Sequence, residues 1–379
     1  MLSVVPQVEE SGKAKILAQY DERKRLYESF SREVEHQVKL LLDSAHNTYN
    51  SISQRVKDRA SLSEKIDRKS GKYSKLGDIT DISGVRIITY YSEDVDRVAN
   101  IIETEFDVDH DNSIDKRKAL EPDKFGYCSV HYVVKMSPSR LALREYQGYQ
   151  GLICEIQIRT VLQHAWAEIE HDTGYKSEKP IPRELRRSFS RIAGLLEIAD
   201  KEFDNIRREL AQYKKTAEES ISTEEFLNKE IDAVIIDVTT QTDTNIRLLN
   251  AQISNLLGEP LEMKTDPSNA ESIIEHLNWL GIHTVSDLLT AIREHSEVAL
   301  AIANEILKEY KPKDDDSKAS ATIGLFYLCY AVLISRECTT DRIYSYLEDN
   351  SIAMSEERED FANELLSYRE RFVEQSKKT

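Results

Sequence analysis

Several absences narrow the reading of this 379-residue sequence before any motif does. No stretch approaches the roughly 18 uninterrupted apolar residues of a transmembrane helix, so no membrane span is expected. The opening "MLSVVPQVEE" lacks the basic start and long apolar core of a secretory signal. Four cysteines, Cys128, Cys154, Cys329 and Cys338, are scattered without CxxC spacing, which argues against a zinc knuckle and a disulfide framework. There is no internal repeat and no low-complexity tract. Together these absences lead to the expectation of a reduced, cytoplasmic protein.

What is present is charge, unevenly spread. The net charge is −17. Residues 1–220 hold 36 Lys+Arg against 38 Asp+Glu, a balance of −2, and residues 221–379 hold 15 against 30, a balance of −15. A near-neutral first part and a strongly acidic second part suggest division of labour. Globally this is not the profile of a nucleic-acid binder. The length suits two domains better than one core.

Periodicity gives the organisation. Residues 11–60 read as helix, with apolar positions recurring at three and four. "DRKSGKYSKLGD" reads as a basic, glycine-containing loop, and "GVRIITYY" as a strand. "SEDVDRVANIIETEF" opens with Ser92 as a helix N-cap and an acidic first turn. A polar loop leads to the β stretch "YCSVHYVVKM", and "LREYQGYQG" connects it to the strand "LICEIQIRT". In that strand Ile156 and Ile158 point one way, while Glu155, Gln157 and Arg159 point the other. From Val161 the spacing turns helical, with Leu162, Ala165, Trp166 and Ile169 on one stripe. A long helix follows the prolines of "KPIPRELRR". Beyond Ser220 only helical patterns appear, over 222–257, 268–281, 285–310, 318–337, 340–348 and 355–375. The fold class is therefore α+β, a mixed sheet flanked by helices over 1–220, then an all-α domain over 221–379. The boundary is expected near 215–225.

Four stretches carry chemistry. "SQRVKDR" offers Arg55, Lys57 and Arg59 from a helix end or the following loop. "TDISGVRI" places Asp81 before a glycine and Arg86 on a strand. "DKFGYCSVH" holds Lys124, Tyr127 and His131, and the opposing strand holds Glu155, Gln157 and Arg159. Two carboxylates about 4 Å apart in a pocket repel by roughly 4 kcal/mol at an effective dielectric near 20. A divalent cation removes that penalty, and Mg²⁺ suits one or two carboxylates plus substrate phosphates. Nearby Arg and Lys complete a polyphosphate clamp, and an aromatic side chain offers a stacking surface. The residue types suit nucleotide chemistry.

At these residues the sequence resembles the RelA/SpoT-type synthetases, (p)ppGpp-making pyrophosphokinases with a nucleotidyltransferase-like fold. The resemblance covers roughly residues 45–180, through "DISGVRI", "FGYCSVH" and "EIQIRTVLQHAWAEIEHDTGYK" in the family's order. It implies transfer of the β,γ-pyrophosphate of ATP to a ribose 3′-hydroxyl of GDP or GTP, with Mg²⁺. It implies that Arg55 and Arg86 sandwich adenine and that Lys57 meets the ATP phosphates. Asp81 is implied as a metal ligand, and Tyr127 as the residue that stacks on the acceptor base. Glu155 is implied to share the metal and act as general base. Gln157, Arg159, His131 and Lys124 are implied on the acceptor side. The strand's front then faces a substrate cleft while the next helix braces it from behind. Cys128 stands where relatives often carry Arg or Gln, and no HD-type hydrolase set precedes the region.

Other readings stand beside this one. Toxic relatives of the same fold place pyrophosphate on the 3′-CCA end of tRNA, and an all-α extension there acts as a fused antitoxin or phage sensor. A catalytically dead nucleotide-binding module is a third reading. The C-terminal helices are expected to be regulatory, or to bind a protein partner or a second copy. Lys116, Arg117 and Lys118 read equally as a solvated loop or as a grip on phosphates. His164, Glu168 and His171 read as a hydrogen-bonded scaffold rather than a metal site. Trp279, Phe326, Tyr327 and Tyr330 read as helical core.

Overall fold

Alternation decides which side of each strand meets the core. In β6 (Cys154–Thr160), Cys154, Ile156 and Ile158 are fully buried on one side, leaving Glu155, Gln157 and Arg159 on the other. The computed structural model describes residues 6–69, 71–119, 129–175, 183–220, 223–308, 310, 317–336 and 339–373. The chain divides into two compact units, residues 1–208 and 209–379. Among the described residues no helix is long and apolar enough to cross a membrane.

The first unit runs α1 (Pro6–Ser44), β1 (Ser51–Val56), α2 (Arg59–Arg68), β2 (Ser83–Thr89), α3 (Ser92–Glu105), β3 (Phe106–Val108) and β4 (Ile114–Asp115). The single turns α4 (Lys116–Ala119) and α5 (Pro138–Leu141) flank β5 (Val130–Met136); β6, α6 (Val161–Glu170) and α7 (Arg183–Ser220), whose residues from 209 on belong to the second unit, follow. The sheet order is β1-β2-β6-β5-β3, with β4 also pairing β5. In this sheet, as described, β2 and β6 pair in parallel and the other pairings are antiparallel. Register aligns Arg55 with Gly84, Gly84 with Glu155, Arg86 with Gln157, and Gln157 with His131. Residues paired in this way share a face, so all of them project from the same side.

The opposite side is apolar. Val85, Ile87, Val130, Tyr132, Val134, Ile156 and Ile158 pack with Tyr20, Tyr27, Phe30, Val34 and Val38 of α1, and with Val95, Val98 and Ile102 of α3. Burying side chains of this size contributes about 1.5–3 kcal/mol each. Buried hydroxyls also tie α1 to the strands: Ser31 donates to the carbonyls of Arg55 and Gly84, and Tyr20 donates to that of Lys57 at 2.6 Å.

Three sequence readings are corrected. The helix expected over 11–60 ends at Ser44, and β1 takes up "SISQRV". Arg55 thus lies on a strand, not on a helix end or a loop. Ser92 does not cap α3 through its own backbone neighbours; Asp204 of α7 accepts from the Ser92 hydroxyl at 2.5 Å and from the Glu93 amide. The stripe read on α6 buries only Trp166, and Ile169 is 60% exposed. The back of the sheet is already filled by α1 and α3, so α6 does not brace β6 from behind.

The second unit is all helix: the single turn α8 (Glu224–Leu227), then α9 (Ala233–Thr242), α10 (Thr244–Leu257), α11 (Pro267–Trp279), α12 (Val285–Ile306), α13 (Ile323–Ser335), α14 (Thr340–Asp349) and α15 (Arg358–Tyr368). The stretch expected as one helix over 222–257 is thus three, broken where Asp232 and Asp243 cap new N-termini. α13 is apolar all round and lies at the centre, with Leu325, Leu328, Ala331 and Ile334 fully buried. Its first turn is tied down by Asn250, whose Oδ1 accepts from the Gly324 amide at 2.7 Å and whose Nδ2 donates to the Ala321 carbonyl. A Cβ at Gly324 would meet that Oδ1 at 2.5 Å, so glycine is required for this approach. Trp279, Phe326, Tyr327 and Tyr330 are core, as read, in an edge-to-face cluster with Tyr346 and His276.

Candidate active site

The polar face of β6 is organised by side-chain hydrogen bonds along the strand. Arg159, 3% exposed, donates to Gln157 Oε1 at 2.9 Å. Gln157 in turn donates to Glu155 Oε2 at 2.8 Å. Glu155 Oε1 meets His131 Nδ1 of β5 at 3.2 Å. Burial alone would raise the Glu155 carboxyl, yet the bonds from His131 and Gln157 and the charge of Lys65 lower it to about 2. It is ionised throughout the physiological range.

A second carboxylate stands at the entry of the neighbouring strand. Asp81 Oδ2 is gripped by Lys57 at 3.2 Å and by Lys65 at 2.7 Å, and all three side chains are under a fifth exposed. Lys65 comes from α2, which begins at a turn where Asp58 accepts from the Ser61 amide. Its ammonium acts on Asp81 directly and on Glu155 through space, so the two acids share one cation. Like-charge repulsion is thereby relieved within the protein itself. Asp81 Oδ1 and His131 Nε2 are buried without a hydrogen-bond partner.

Between these groups and β1 lies a cleft of about 140 Å³ lined by Ser53, Gln54, Arg55, Gly84, Val85, Arg86, Glu155 and Gln157. Gly84 leaves its floor bare: a Cβ there would sit 3.6 Å from both Arg55 Cγ and the Glu155 carbonyl. Arg86 is held by Glu168 of α6 at 3.0 Å, and Glu168 also lies 3.6 Å from His164. Burial first, then the charges of Arg159 and Arg86, push the His164 imidazole down. α6 therefore comes round to the charged face. Thr160 and Gln163 form a reciprocal capping box that turns strand into helix without a loop.

The structure thus brings together Arg55, Lys57, Asp81, Arg86, His131, Glu155, Gln157 and Arg159, drawn from four strands and the turns beside them. Lys124, Tyr127 and Cys128 lie outside the described residues. Lys65 was missed in the sequence, where it is one lysine in a basic stretch. The ambiguity over the basic run resolves in two directions. Arg117 is a scaffold residue, paired with Asp96 at 2.7 Å and Asp115 at 3.0 Å. Lys116 is half-buried, and burial lowers its pKa while Glu155 acts to raise it; the Lys118 side chain lies outside the described residues. On α6, Glu168 pairs with Arg86 and lies beside His164.

Known proteins resemble this chain over the same region. Residues 54–180 match the family described as "Region found in RelA / SpoT proteins". The GTP pyrophosphokinase YjbM of Bacillus subtilis (strain 168) is 31% identical over 168 residues, which cover 44% of this chain and 76% of that protein. The chain belongs to the RelA/SpoT-type synthetases. Membership makes it a pyrophosphokinase by class. A second GTP pyrophosphokinase of that organism, YwaC, is 29% identical over 168 residues, 44% of this chain and 77% of its own. Among solved structures, the small alarmone synthetase 1 from Bacillus subtilis is 28% identical, covering 51% of this chain and 98% of its own, with a TM-score of 0.44. The same synthetase bound to its product pppGpp aligns with a TM-score of 0.43 at 27% identity, covering 50% of this chain and 97% of its own. All these similarities leave much of the chain unmatched. The RelA/SpoT region, ending at residue 180, contains every catalytic candidate named above and stops before α7.

Proposed function

We propose that this chain transfers the β,γ-pyrophosphate of ATP to the ribose 3′-hydroxyl of GDP or GTP, making (p)ppGpp. The observation that carries the reading is a pair of part-buried carboxylates, Asp81 bonded to the Lys65 ammonium and Glu155 lowered by the same charge, beside an arginine-lined cleft. Transfer of a pyrophosphoryl group asks mainly for positioning and for charge placed where it develops. Arg55 and Arg86 flank the cleft on adjacent strands and present guanidinium planes for a purine ring. Lys57 and Lys65 reach the same end and face the phosphates.

Magnesium fits the donor set. Asp81 has one buried oxygen without a partner, and Mg²⁺ is held by one or two carboxylates plus substrate phosphates rather than by a full protein cage. When bound, it would polarise the transferred phosphoryl group, with Asp81 and Glu155 holding it. With its carboxyl lowered to about 2, Glu155 accepts the hydrogen bond of the 3′-hydroxyl and orients its oxygen for attack. Glu155 takes the hydroxyl proton as the 3′-oxygen bonds to the β-phosphorus and the bond to the departing AMP breaks. Gln157 and Arg159 hold the Glu155 carboxylate in place from one side and His131 from the other.

The test is transfer from β,γ-labelled ATP to GDP, GTP or deacylated tRNA, resolved by chromatography. Label on a guanosine nucleotide supports the reading. Label on tRNA alone overturns it in favour of a translation-blocking toxin, and no transfer to any acceptor leaves only a nucleotide-binding module.

A further inference from the structure

Within the first unit, α7 turns acids rather than apolar residues towards β6 and α3. Asp200 and Asp204 are 3% and 5% exposed, while Leu195 and Ile206 of the same helix are 65% and 50% exposed. Asp204 is well matched, accepting from the Ser92 hydroxyl and the Glu93 amide. Asp200 is matched on one side only. Its Oδ2 accepts from the Thr160 hydroxyl at 2.9 Å, and its Oδ1 is buried without a hydrogen-bond partner. Burial, resisted by the Thr160 bond and reinforced by Asp204 and Glu197, raises its pKa to about 6. At neutral pH this carboxylate is therefore ionised at a cost to folding. Its presence needs a reason other than stability.

Thr160 supplies one. It is the last residue of β6 and the N-cap of α6, and its hydroxyl oxygen accepts from the Gln163 amide at 3.1 Å. A hydroxyl has one proton and two lone pairs. With the proton committed to Asp200, a lone pair stays aimed at Gln163, and the direction in which α6 leaves the strand is held. α6 carries Glu168, which holds Arg86 at 3.0 Å on the wall of the cleft. We infer, resting on the adenine-side reading of Arg86, that Asp200 is a positioning residue for the donor nucleotide: through Thr160 it fixes α6, and through Glu168 the guanidinium of Arg86. Asp200 lies beyond the RelA/SpoT region, which ends at residue 180.

The test is the affinity of the full chain for α,β-methylene ATP with Mg²⁺ by titration calorimetry, which needs no turnover. Asp200→Leu, which fills the space and cannot accept a hydrogen bond, should weaken binding about threefold to tenfold. Asp200→Asn, which keeps an acceptor for Thr160, should bind within about twofold of wild type. Both remove the buried charge, so a purely structural role predicts that they behave alike. From the other end of the bond, Thr160→Val should reproduce the loss and Thr160→Ser should not, and this pair decides the matter if the leucine variant does not fold. In a Glu168→Ala background Asp200→Leu should add less than about twofold, because both act on Arg86. Equal affinities of the leucine and asparagine variants, or full additivity with Glu168→Ala, overturn the inference alone. A wild-type chain that does not bind the analogue overturns the proposed function along with it.

Discussion

Glu155 and His276 are both buried ionisable groups bonded to one neighbouring ring, and the difference between their surroundings separates the two units. Around Glu155 the chain crowds Asp81, Lys57, Lys65, His131 and Arg159 together and leaves Asp81 Oδ1 and His131 Nε2 unmatched. At His276, Nδ1 meets the Tyr346 hydroxyl at 2.7 Å, and Phe326 is packed edge-on. An unmatched buried polar atom costs about 1–3 kcal/mol. The first unit carries that cost where a ligand could supply the missing partners. At His276 the second unit uses a buried polar group to tie one helix to another.

The sharpest way to break the contrast is to neutralise the acids. Asp81→Asn and Glu155→Gln should each lower the turnover of labelled-ATP transfer by at least about 100-fold. Thermal unfolding of the second unit should not move. Near-normal turnover in either variant would return that residue to scaffold.

Acidity should act on the two units in opposite directions. Burial lowers His276 to about 4, below its unfolded value, so its stabilising contribution is complete above about 6.5 and is lost as pH falls through 4. That is worth up to about 3 kcal/mol at one pKa unit per 1.36 kcal/mol. Asp200 has the reverse sign. Burial first, opposed by the Thr160 bond, raises it to about 6, so its contribution is present below about 4 and lost as pH rises through 6. His276→Gln should flatten the acid-side loss of the second unit in a melting series from pH 7 to 4. Asp200→Asn should raise the melting temperature of the first unit at pH 7 and not at pH 4. Parallel behaviour of both variants would erase the distinction.

The smallest effect concerns Arg86. Its partner Glu168 is 54% exposed, so the pair is worth less than about 1 kcal/mol. Glu168→Gln should change the KM for ATP two- to fivefold with kcat unchanged; a change confined to the acceptor KM would contradict the adenine-side assignment of Arg86.

Legibility followed burial. β2, β5 and β6 stood out in the sequence because each has one fully apolar side, and the alternation in "EIQIR" announced the polar face before any geometry was known. β1 did not stand out. Of "SISQRV" only Ile52 is buried, and an edge strand with one wet side carries too little apolar signal to interrupt a helical pattern. Lys65 was hidden for a different reason, since nothing in "SEKIDRKS" tells which lysine a short helix turns inward. α6 was assigned to the wrong side because its stripe looks apolar in sequence. Its position is set by the Thr160 capping box and by a back face already full. The exposed apolar side of α7 was unreadable as such, because periodicity reveals an amphipathic helix but not which face is wet.

One consequence follows from Lys65. Because the Lys65 ammonium already pairs with Asp81 and also draws Glu155 down, part of the negative charge of the pocket is countered by the protein before any nucleotide arrives. Chelators should therefore leave the melting of the resting protein where it is, and loading the pocket becomes an exchange of one positive charge for another rather than the filling of a void.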